Sequence, residues 1–301
     1  MFSSRYKRRY NMAKITKAVI PAAGLGVRML PAAKAVPKEM MSIVDKPAMH
    51  YQIKEAVDSG ITDILIITNR GKGAIEDYFD YSPEYEKKLL ASGKEDVLRE
   101  INEIAEMANI TYLRQKAPKG LGHAVWCAKS FVGNEPFAVL YGDDVIESET
   151  PTTKSLIDLY EKYNKLTVGV REVTREQIVK YSSLDATEVD KDIYVCRDMI
   201  EKPTPDKILS CLSILGRVVL PPEIFAVLEN QAPGAGGEIQ LTDAMATFAR
   251  ADGIMAYKFP GIHHDMGSKL GLLKANISYG VKHSEIGEEF TEWLKEYVKT
   301  L

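Results

Sequence analysis

Residues 17–41 read KAVIPAAGLGVRMLPAAKAVPKEMM, a short apolar run followed by glycines, prolines and lysines. The run Lys17–Ala22 predicts a β-strand, and the irregular segment 23–47 predicts a loop after it. Loops of about this length are uncommon in a compact domain unless they act on a ligand. The stretch therefore predicts the first strand of a sheet with a ligand-binding loop at its end.

Strands and helices alternate over the first 150 residues. Strands are predicted at Lys17–Ala22, Asp63–Thr68, Ile110–Arg114 and Phe137–Tyr141, with helices around 49–58, 72–79, 84–108 and 121–131. This alternation predicts an α/β fold with a doubly wound, mostly parallel sheet. Ligands bind such sheets at the carboxyl ends of the strands, where the loops 23–38 and 142–145 are expected.

The second half of the sequence has a more mixed pattern. Strands are predicted at Leu166–Val173, Asp192–Glu201, Cys211–Leu220 and Ile254–Phe259, and helices at Pro222–Leu228, Gln240–Ala251, Lys269–Lys282 and Glu285–Lys299. The last helix carries one apolar stripe, which predicts either packing on the body of the protein or a contact between subunits.

The loop after the first strand combines small residues with two cations. In Ala22-Ala23-Gly24-Leu25-Gly26 the backbone can come close to a phosphate, and successive N–H groups can bind an anion. Arg28 and Lys38 could then contact phosphate oxygens. A glycine-rich turn with solvated cations is the alternative. The motif GxxxxGK[ST] does not occur, which excludes a Walker phosphate loop. A dinucleotide fingerprint is also excluded, because Met29 stands where its third glycine would be.

Composition narrows the class of protein. The 301 residues carry a formal net charge of −3, which gives no indication of nucleic-acid or membrane binding. The three cysteines are widely spaced, as in a reduced cytoplasmic protein. Residues 1–12 are basic and lack the apolar run of a signal peptide, so a disordered tail is expected there.

Six blocks, in order, together resemble one family. The string KAVIPAAGLGVRMLPAAKAVPKEMMSIVDKPAMHY is similar to the signature of bacterial UTP–glucose-1-phosphate uridylyltransferases, with Val27 in place of the usual threonine. The later blocks are KGLGHA (119–124) after Gln115, GDD (142–144), EKP (201–203), PGAGGEIQLTD (233–243) and HDMGSK (264–269). The resemblance implies a nucleotide-diphospho-sugar transferase fold, Rossmann-like, with an added sugar-binding portion.

The resemblance also implies a reaction and a set of site residues. UTP and glucose-1-phosphate would give UDP-glucose and pyrophosphate, by in-line attack of the sugar phosphate on the α-phosphate. Positioning and charge neutralisation dominate such chemistry. Arg28, Lys38 and Lys202 would act on the phosphates. The nucleotide would contact residues of the first loop and of the segment that reads the uracil, namely Ala22, Ala23, Gly24, Gly26, Glu39, Gln115 and Gly120. The sugar phosphate would contact Gly142, Glu201, Lys202 and Gly216.

Two aspartates are candidate metal ligands. Mg²⁺ bound to phosphates takes one or two carboxylates together with waters. Asp143 follows an apolar strand, and Asp265 belongs to the late family block, so the resemblance implies that both hold Mg²⁺. Each alone could equally be a turn residue or a helix cap.

One segment departs from the family pattern, and three other functions remain open. Tyr181-Ser182-Ser183-Leu184-Asp185 stands where the family usually has a Tyr-Gly-Val-Val-Asp-like segment, near the expected sugar site. The alternatives are a thymidylyltransferase using dTTP, a catalytically silent nucleotide-sugar binding protein, and an NAD-dependent oxidoreductase. The glycine spacing disfavours the last.

The resemblance further implies an organisation of the chain. A catalytic domain is expected over 13–284, with a nucleotide half to about 150 and a sugar-phosphate half from about 151. A C-terminal amphipathic helix would follow over 285–301. The family resemblance suggests a homodimer or homotetramer.

Overall fold

A computed structural model describes residues 14–301, so the tail expected at 1–12 lies outside the described residues. The strands are β1 (Lys17–Pro21), β2 (Ser42–Ile43), β3 (Lys46–Pro47), β4 (Asp63–Thr68), β5 (Asn109–Arg114), β6 (Phe137–Leu140), β7 (Asp144–Glu147), β8 (Thr167–Glu172), β9 (Ser182–Asp190), β10 (Ile193–Glu201), β11 (Leu212–Leu220), β12 (Ile254–Lys258) and β13 (Ile262–Asp265). The helices are α1 (Ala48–Asp58), α2 (Gly73–Phe79), α3 (Pro83–Ala91), α4 (Glu95–Ala105), α5 (Leu121–Cys127), α6 (Lys129–Val132), α7 (Thr152–Tyr163), α8 (Arg175–Ile178), α9 (Ile224–Glu229), α10 (Leu241–Asp252), α11 (Lys269–Gly280) and α12 (Gly287–Val298).

Nine of the strands form one continuous sheet, in the order β5-β4-β1-β6-β11-β8-β12-β10-β9. The four strands from the first half are parallel to one another, and β12 is parallel to β8. The antiparallel strands β9, β10 and β11 all belong to the second half. The α/β, doubly wound fold predicted from the sequence is thus confirmed.

Helices cover both faces of this sheet because its strands are apolar on both sides. Val19, Leu65 and Val139 face one core, which contains side chains of α5, α9 and α10. Their neighbours Ile20 and Ile66 face a second core, with side chains of α1, α2 and α7. None of the helices within residues 14–301 has the length and apolar character needed to cross a membrane.

A buried ion pair between β11 and α1 connects the sheet to the helices on one of its faces. Arg217 on β11 donates to both carboxylate oxygens of Glu55 on α1, with the shortest N–O distance 2.7 Å. The same carboxylate accepts from the backbone N–H and the hydroxyl of Thr153, in the first turn of α7. One side chain of α1 therefore fixes β11 and α7 at once.

The segment predicted as a loop, 23–47, contains three short 3₁₀ turns, Val27–Met29, Ala32–Lys34 and Lys38–Met40, and the small hairpin of β2 and β3. The charged region 84–108 forms a helix pair, α3 and α4. The loop predicted at 142–145 is shorter than expected, because β7 begins at Asp144 and pairs with β13.

Candidate active site

The two aspartates predicted as metal ligands are brought together by the two-stranded ribbon of β7 and β13. Asp143 immediately precedes β7, and Asp265 ends β13 opposite Asp144. The backbone N–H of Met266 donates to the carbonyl of Asp143 at 2.8 Å. Residues 122 positions apart in the chain thus lie side by side at the carboxyl end of β6.

Both carboxylates converge on Gly267. A Cβ placed on this glycine would lie 2.9 Å from Oδ2 of Asp143, 3.0 Å from Oδ1 of Asp265 and 2.6 Å from Nη2 of Arg28. Only hydrogen at this position leaves room for the three charged groups. Two carboxylates and a guanidinium therefore lie closely packed against the backbone of Gly267.

The two predicted cations of the first loop each bind one of these aspartates. Arg28 donates to both oxygens of Asp265 at 3.0 and 3.2 Å, and its side chain remains 64% exposed. Lys38 is largely buried and donates to Oδ2 of Asp143. Burial lowers the pKa of Lys38, but Asp143 and Glu39 outweigh this and raise it. Burial likewise raises the pKa of Asp143, whereas Lys38 and Arg28 bring it below its usual value.

Among residues 14–301 no group of three or more His, Cys, Asp or Glu side chains is arranged to hold a metal ion. Asp143 and Asp265 still offer two carboxylate oxygens around one point. This donor set suits a hard cation such as Mg²⁺ that takes its remaining ligands from phosphate and water.

Glu201 and Lys202, predicted to bind the sugar phosphate, lie at the end of β10. The pairing of β10 with β9 is irregular between Cys196 and Asp198, and β10 packs against α10. Asp198 binds Arg250 near the end of the helix, and Glu201 accepts from the hydroxyl of Thr242 in its first turn at 2.8 Å. Burial raises the pKa of Glu201, and the Thr242 hydrogen bond and Lys202 oppose this.

Lys202 leaves the strand with a φ of 47° and an exposed side chain. Its backbone N–H donates to the carbonyl of Tyr181 at 2.8 Å. The segment that departs from the family pattern is therefore directly beside Lys202. Within it, the hydroxyl of Ser182 accepts from the backbone of Ile214 on β11.

Gln115 and Gly120, predicted to read the base, are neighbours across the end of β5. The Gln115 side-chain amide lies 3.3 Å from the carbonyl of Gly120 and 2.8 Å from Nδ1 of His123. Gly120 has a φ of +100°, and a Cβ there would lie 2.8 Å from the carbonyl of Ile239. The block 233–243 thus packs on the segment that is predicted to read the uracil.

Gly142 and Gly216 lie at the same sheet edge. The Gly142 carbonyl accepts from Gln52 at 2.8 Å, and the Gly216 carbonyl accepts from the backbone of Tyr141 at 2.8 Å. Because β11 runs antiparallel to β6, Gly216 lies next to Asp144. Ala22, Ala23, Gly24 and Gly26 follow β1, the parallel neighbour of β6. The loop after β1, Gly142 and Gly216 therefore share one edge of the sheet, and the contacts of the predicted site residues with substrates stay predictions.

Glu39 is fully buried, and Lys72 donates to both its carboxylate oxygens at 2.8 and 2.7 Å. Burial raises the pKa of Glu39 and lowers the pKa of Lys72, and each partner opposes the shift of the other. Nothing in the sequence pattern indicated a role for Lys72, since a lysine before a helix is usually solvated. The prediction that Glu39 contacts the nucleotide stays untested.

The chain is similar in sequence and in fold to known nucleotidyl transferases. Residues 17–280 match the family model described as nucleotidyl transferase. The chain is 47% identical over 284 residues to a Bacillus subtilis protein named UTP–glucose-1-phosphate uridylyltransferase, covering 94% of this chain and 97% of that one. A structure titled UTP-bound UGPase from Acinetobacter baumannii is similar with a TM-score of 0.86 and 40% identity, covering 94% and 99% of the two chains. A UDP-glucose pyrophosphorylase complexed with UDP-glucose is similar with a TM-score of 0.82 and 40% identity, covering 89% and 100%.

Proposed function

The chain belongs to the nucleotidyl transferase family, and we propose that it transfers the uridylyl group of UTP to glucose-1-phosphate, releasing pyrophosphate. The observation that carries the proposal is the convergence of Arg28, Asp143 and Asp265 around Gly267, with Lys38 bound to Asp143. Relatives at this level of identity, with almost complete coverage of both chains, are named for the same reaction. This supports UTP over the dTTP of the thymidylyltransferase alternative.

The reaction needs little covalent chemistry from the protein. An oxygen of the sugar phosphate attacks the α-phosphorus of UTP, and the bond from that phosphorus to the bridging oxygen of the β-phosphate breaks. Lys202 would neutralise the attacking phosphate, Lys38 the triphosphate, and Arg28 the departing pyrophosphate. Glu201 would accept hydrogen bonds from sugar hydroxyls.

The nucleotide would lie along the loop after β1. Backbone N–H groups of Ala22, Ala23, Gly24 and Gly26 would contact phosphate and base, with Gln115 and Gly120 at the uracil. Ligand phosphates would replace the carboxylates as partners of Arg28 and Lys38. The charges that pair with one another in the structure would then pair with substrate.

Mg²⁺ is the cofactor we propose, with Asp143 and Asp265 as its protein ligands. The two carboxylate oxygens that face the position of a Gly267 side chain fit a hard cation. When bound, such an ion neutralises phosphate oxygens as charge moves to the leaving group.

The test is pyrophosphate release in the presence of Mg²⁺, with glucose-1-phosphate as acceptor and UTP, dTTP, ATP or GTP as donor. Release with UTP alone is expected. Release with dTTP instead would move the base specificity to the thymidylyltransferase alternative. No release with any donor would contradict the proposal, and UDP-glucose binding without turnover would then identify a silent binding protein.

Two properties of the whole protein complete the proposal. A cytoplasmic location is supported by Cys127, Cys196 and Cys211, all of which are free thiols.

A homodimer or homotetramer is supported by the apolar stripe of α12, where Trp293 and Tyr297 stack on each other yet remain 55% and 47% exposed. Light scattering of the purified protein measures this directly.

A further inference from the structure

A buried ion pair joins the loop after β1 to the residue that precedes α2. The side chains of Lys72 and Glu39 are only 6% and 1% exposed, and both carboxylate oxygens accept from the same ammonium group. Desolvating two charges is costly, and apolar replacements of a buried pair are often equally stable. Stability alone therefore does not account for a buried lysine at this place.

The pair is attached to the site through one short turn. Glu39 occupies the 3₁₀ turn Lys38–Met40, which is closed by a 2.8 Å bond from Met40 N–H to the Pro37 carbonyl. The adjacent side chain, Lys38, extends the other way to Asp143. Fixing the carboxylate of Glu39 therefore fixes the backbone from which Lys38 reaches into the site.

We propose that Lys72 is a positioning residue for the transfer reaction, because it anchors Glu39 and so holds Lys38 where the triphosphate binds. The inference rests on the proposed function. It assigns to Lys72 an effect on the nucleotide, since the pair joins the first loop to the start of α2, whereas Glu201 on β10 is held by Thr242 of α10.

Charge gives the pair a second effect on Lys38. Lys38 interacts electrostatically with both Asp143 and Glu39. With Lys72 removed, Lys38 becomes the nearest cation left to the buried Glu39 carboxylate. The ammonium group of Lys38 would then be drawn away from Asp143 and from the phosphates of the nucleotide.

A double-mutant cycle tests the proposal, with Lys72→Met, Glu39→Gln and the K72M/E39Q double variant. We expect Lys72→Met to lower kcat/KM for UTP at least tenfold and to leave the KM for glucose-1-phosphate unchanged. The double variant should regain the thermal stability that Lys72→Met loses, because no buried charge is left unpaired. Its activity should nevertheless stay at the level of Glu39→Gln alone, which we expect to be reduced about as much as in Lys72→Met, because the ionic anchor of the turn is lost in both.

Three outcomes would overturn the proposal. Wild-type kinetics in Lys72→Met would show that Lys38 needs no anchor. Recovery of activity together with stability in the double variant would leave Lys72 a purely structural role. Multiplied losses in the double variant would mean that Lys72 contacts the substrate itself. Lys54→Met, which removes an exposed lysine paired with Asp58, is the matched control.

Pyrophosphate release by the wild-type protein tests the proposed function independently of Lys72. If the wild-type protein released no pyrophosphate, the proposed function would fail on its own. UTP binding measured by calorimetry would then decide on Lys72, and equal affinity in wild type and Lys72→Met would reject its positioning role.

Discussion

Among single residues, the three candidate phosphate-binding cations differ in how they are held. Arg28 and Lys38 each bind a carboxylate, whereas Lys202 is exposed at the end of β10. Replacing Lys202 by Ala should therefore leave stability unchanged and lower turnover about a hundredfold or more, as expected for an electrostatic stabiliser. Steady-state pyrophosphate release measures it, and Lys207→Ala, in the next exposed turn, is the control. Turnover close to wild type would remove Lys202 from the site.

A substitution at Gly267 tests the proposed metal site. A methyl group there would lie within 3.0 Å of Asp143, Asp265 and Arg28, so Gly267→Ala should displace all three groups. Because the backbone of Gly267 is outside the left-handed region, the chain should still fold. We expect turnover to fall by about a hundredfold, as for ångström-scale misplacement of catalytic groups. Gly73→Ala, which meets no atom within 4 Å, should be neutral.

Thr242 should act on the sugar alone. Its hydroxyl donates to Glu201, so Thr242→Val removes a hydrogen bond to a partly buried carboxylate and favours protonation of Glu201. The KM for glucose-1-phosphate should rise by about tenfold or more, with little change in the KM for UTP. Thr247→Val, on the exposed side of the same helix, is the control. An equal effect on both substrates would contradict a role limited to Glu201.

At the scale of elements, α1 carries a histidine that links folding to pH. His50 is 8% exposed, its Nδ1 lies 3.1 Å from the hydroxyl of Tyr78 of α2, and burial lowers its pKa to about 4. The unfolded chain, with a His pKa near 6.5, binds more protons between these values, so stability must fall as pH falls through this window. From pH 7 to pH 5 this group should cost about 2 kcal/mol. Urea unfolding should show this loss in wild type and a smaller one in His50→Gln; equal losses would contradict it.

Some strands could be predicted from the sequence and others could not. Buried parallel strands such as β4 are unbroken apolar runs, and their bounds were predicted to within a residue. The ribbon of β7 and β13 was not predicted, because strands reading DVIE and IHHD are short and polar. Strand β9, SSLDATEVD, has little strand character of its own and forms through pairing with β10. The residues of the site were thus readable as motifs, while the ribbon that joins Asp143 to Asp265 depends on tertiary contacts.

For the whole molecule, the predicted nucleotide and sugar-phosphate halves are joined by strand pairing. β6 of the first half pairs with β11 of the second, and one core contains Val19 and Phe137 together with Val168 and Leu220. We therefore expect a single unfolding transition for both halves. In a Trp293→Phe variant, fluorescence of Trp126 reports on the first half, and its transition should coincide with that of far-ultraviolet circular dichroism. Two separated transitions would show that the halves are independent domains.

The pairing of Arg28 with Asp265 and of Lys38 with Asp143 affects how strongly the ligand-free protein binds simple ions from solution. Two positive and two negative groups cancel, so neither inorganic phosphate nor a bare divalent cation meets an uncompensated charge there. Phosphate alone would displace the aspartates and leave them unpaired, and a cation alone would do the same to Arg28 and Lys38. A metal-chelated triphosphate brings both signs of charge together and satisfies all four groups. On the proposed function, the site would in this way be selective for the metal–triphosphate complex over free phosphate and free divalent cations.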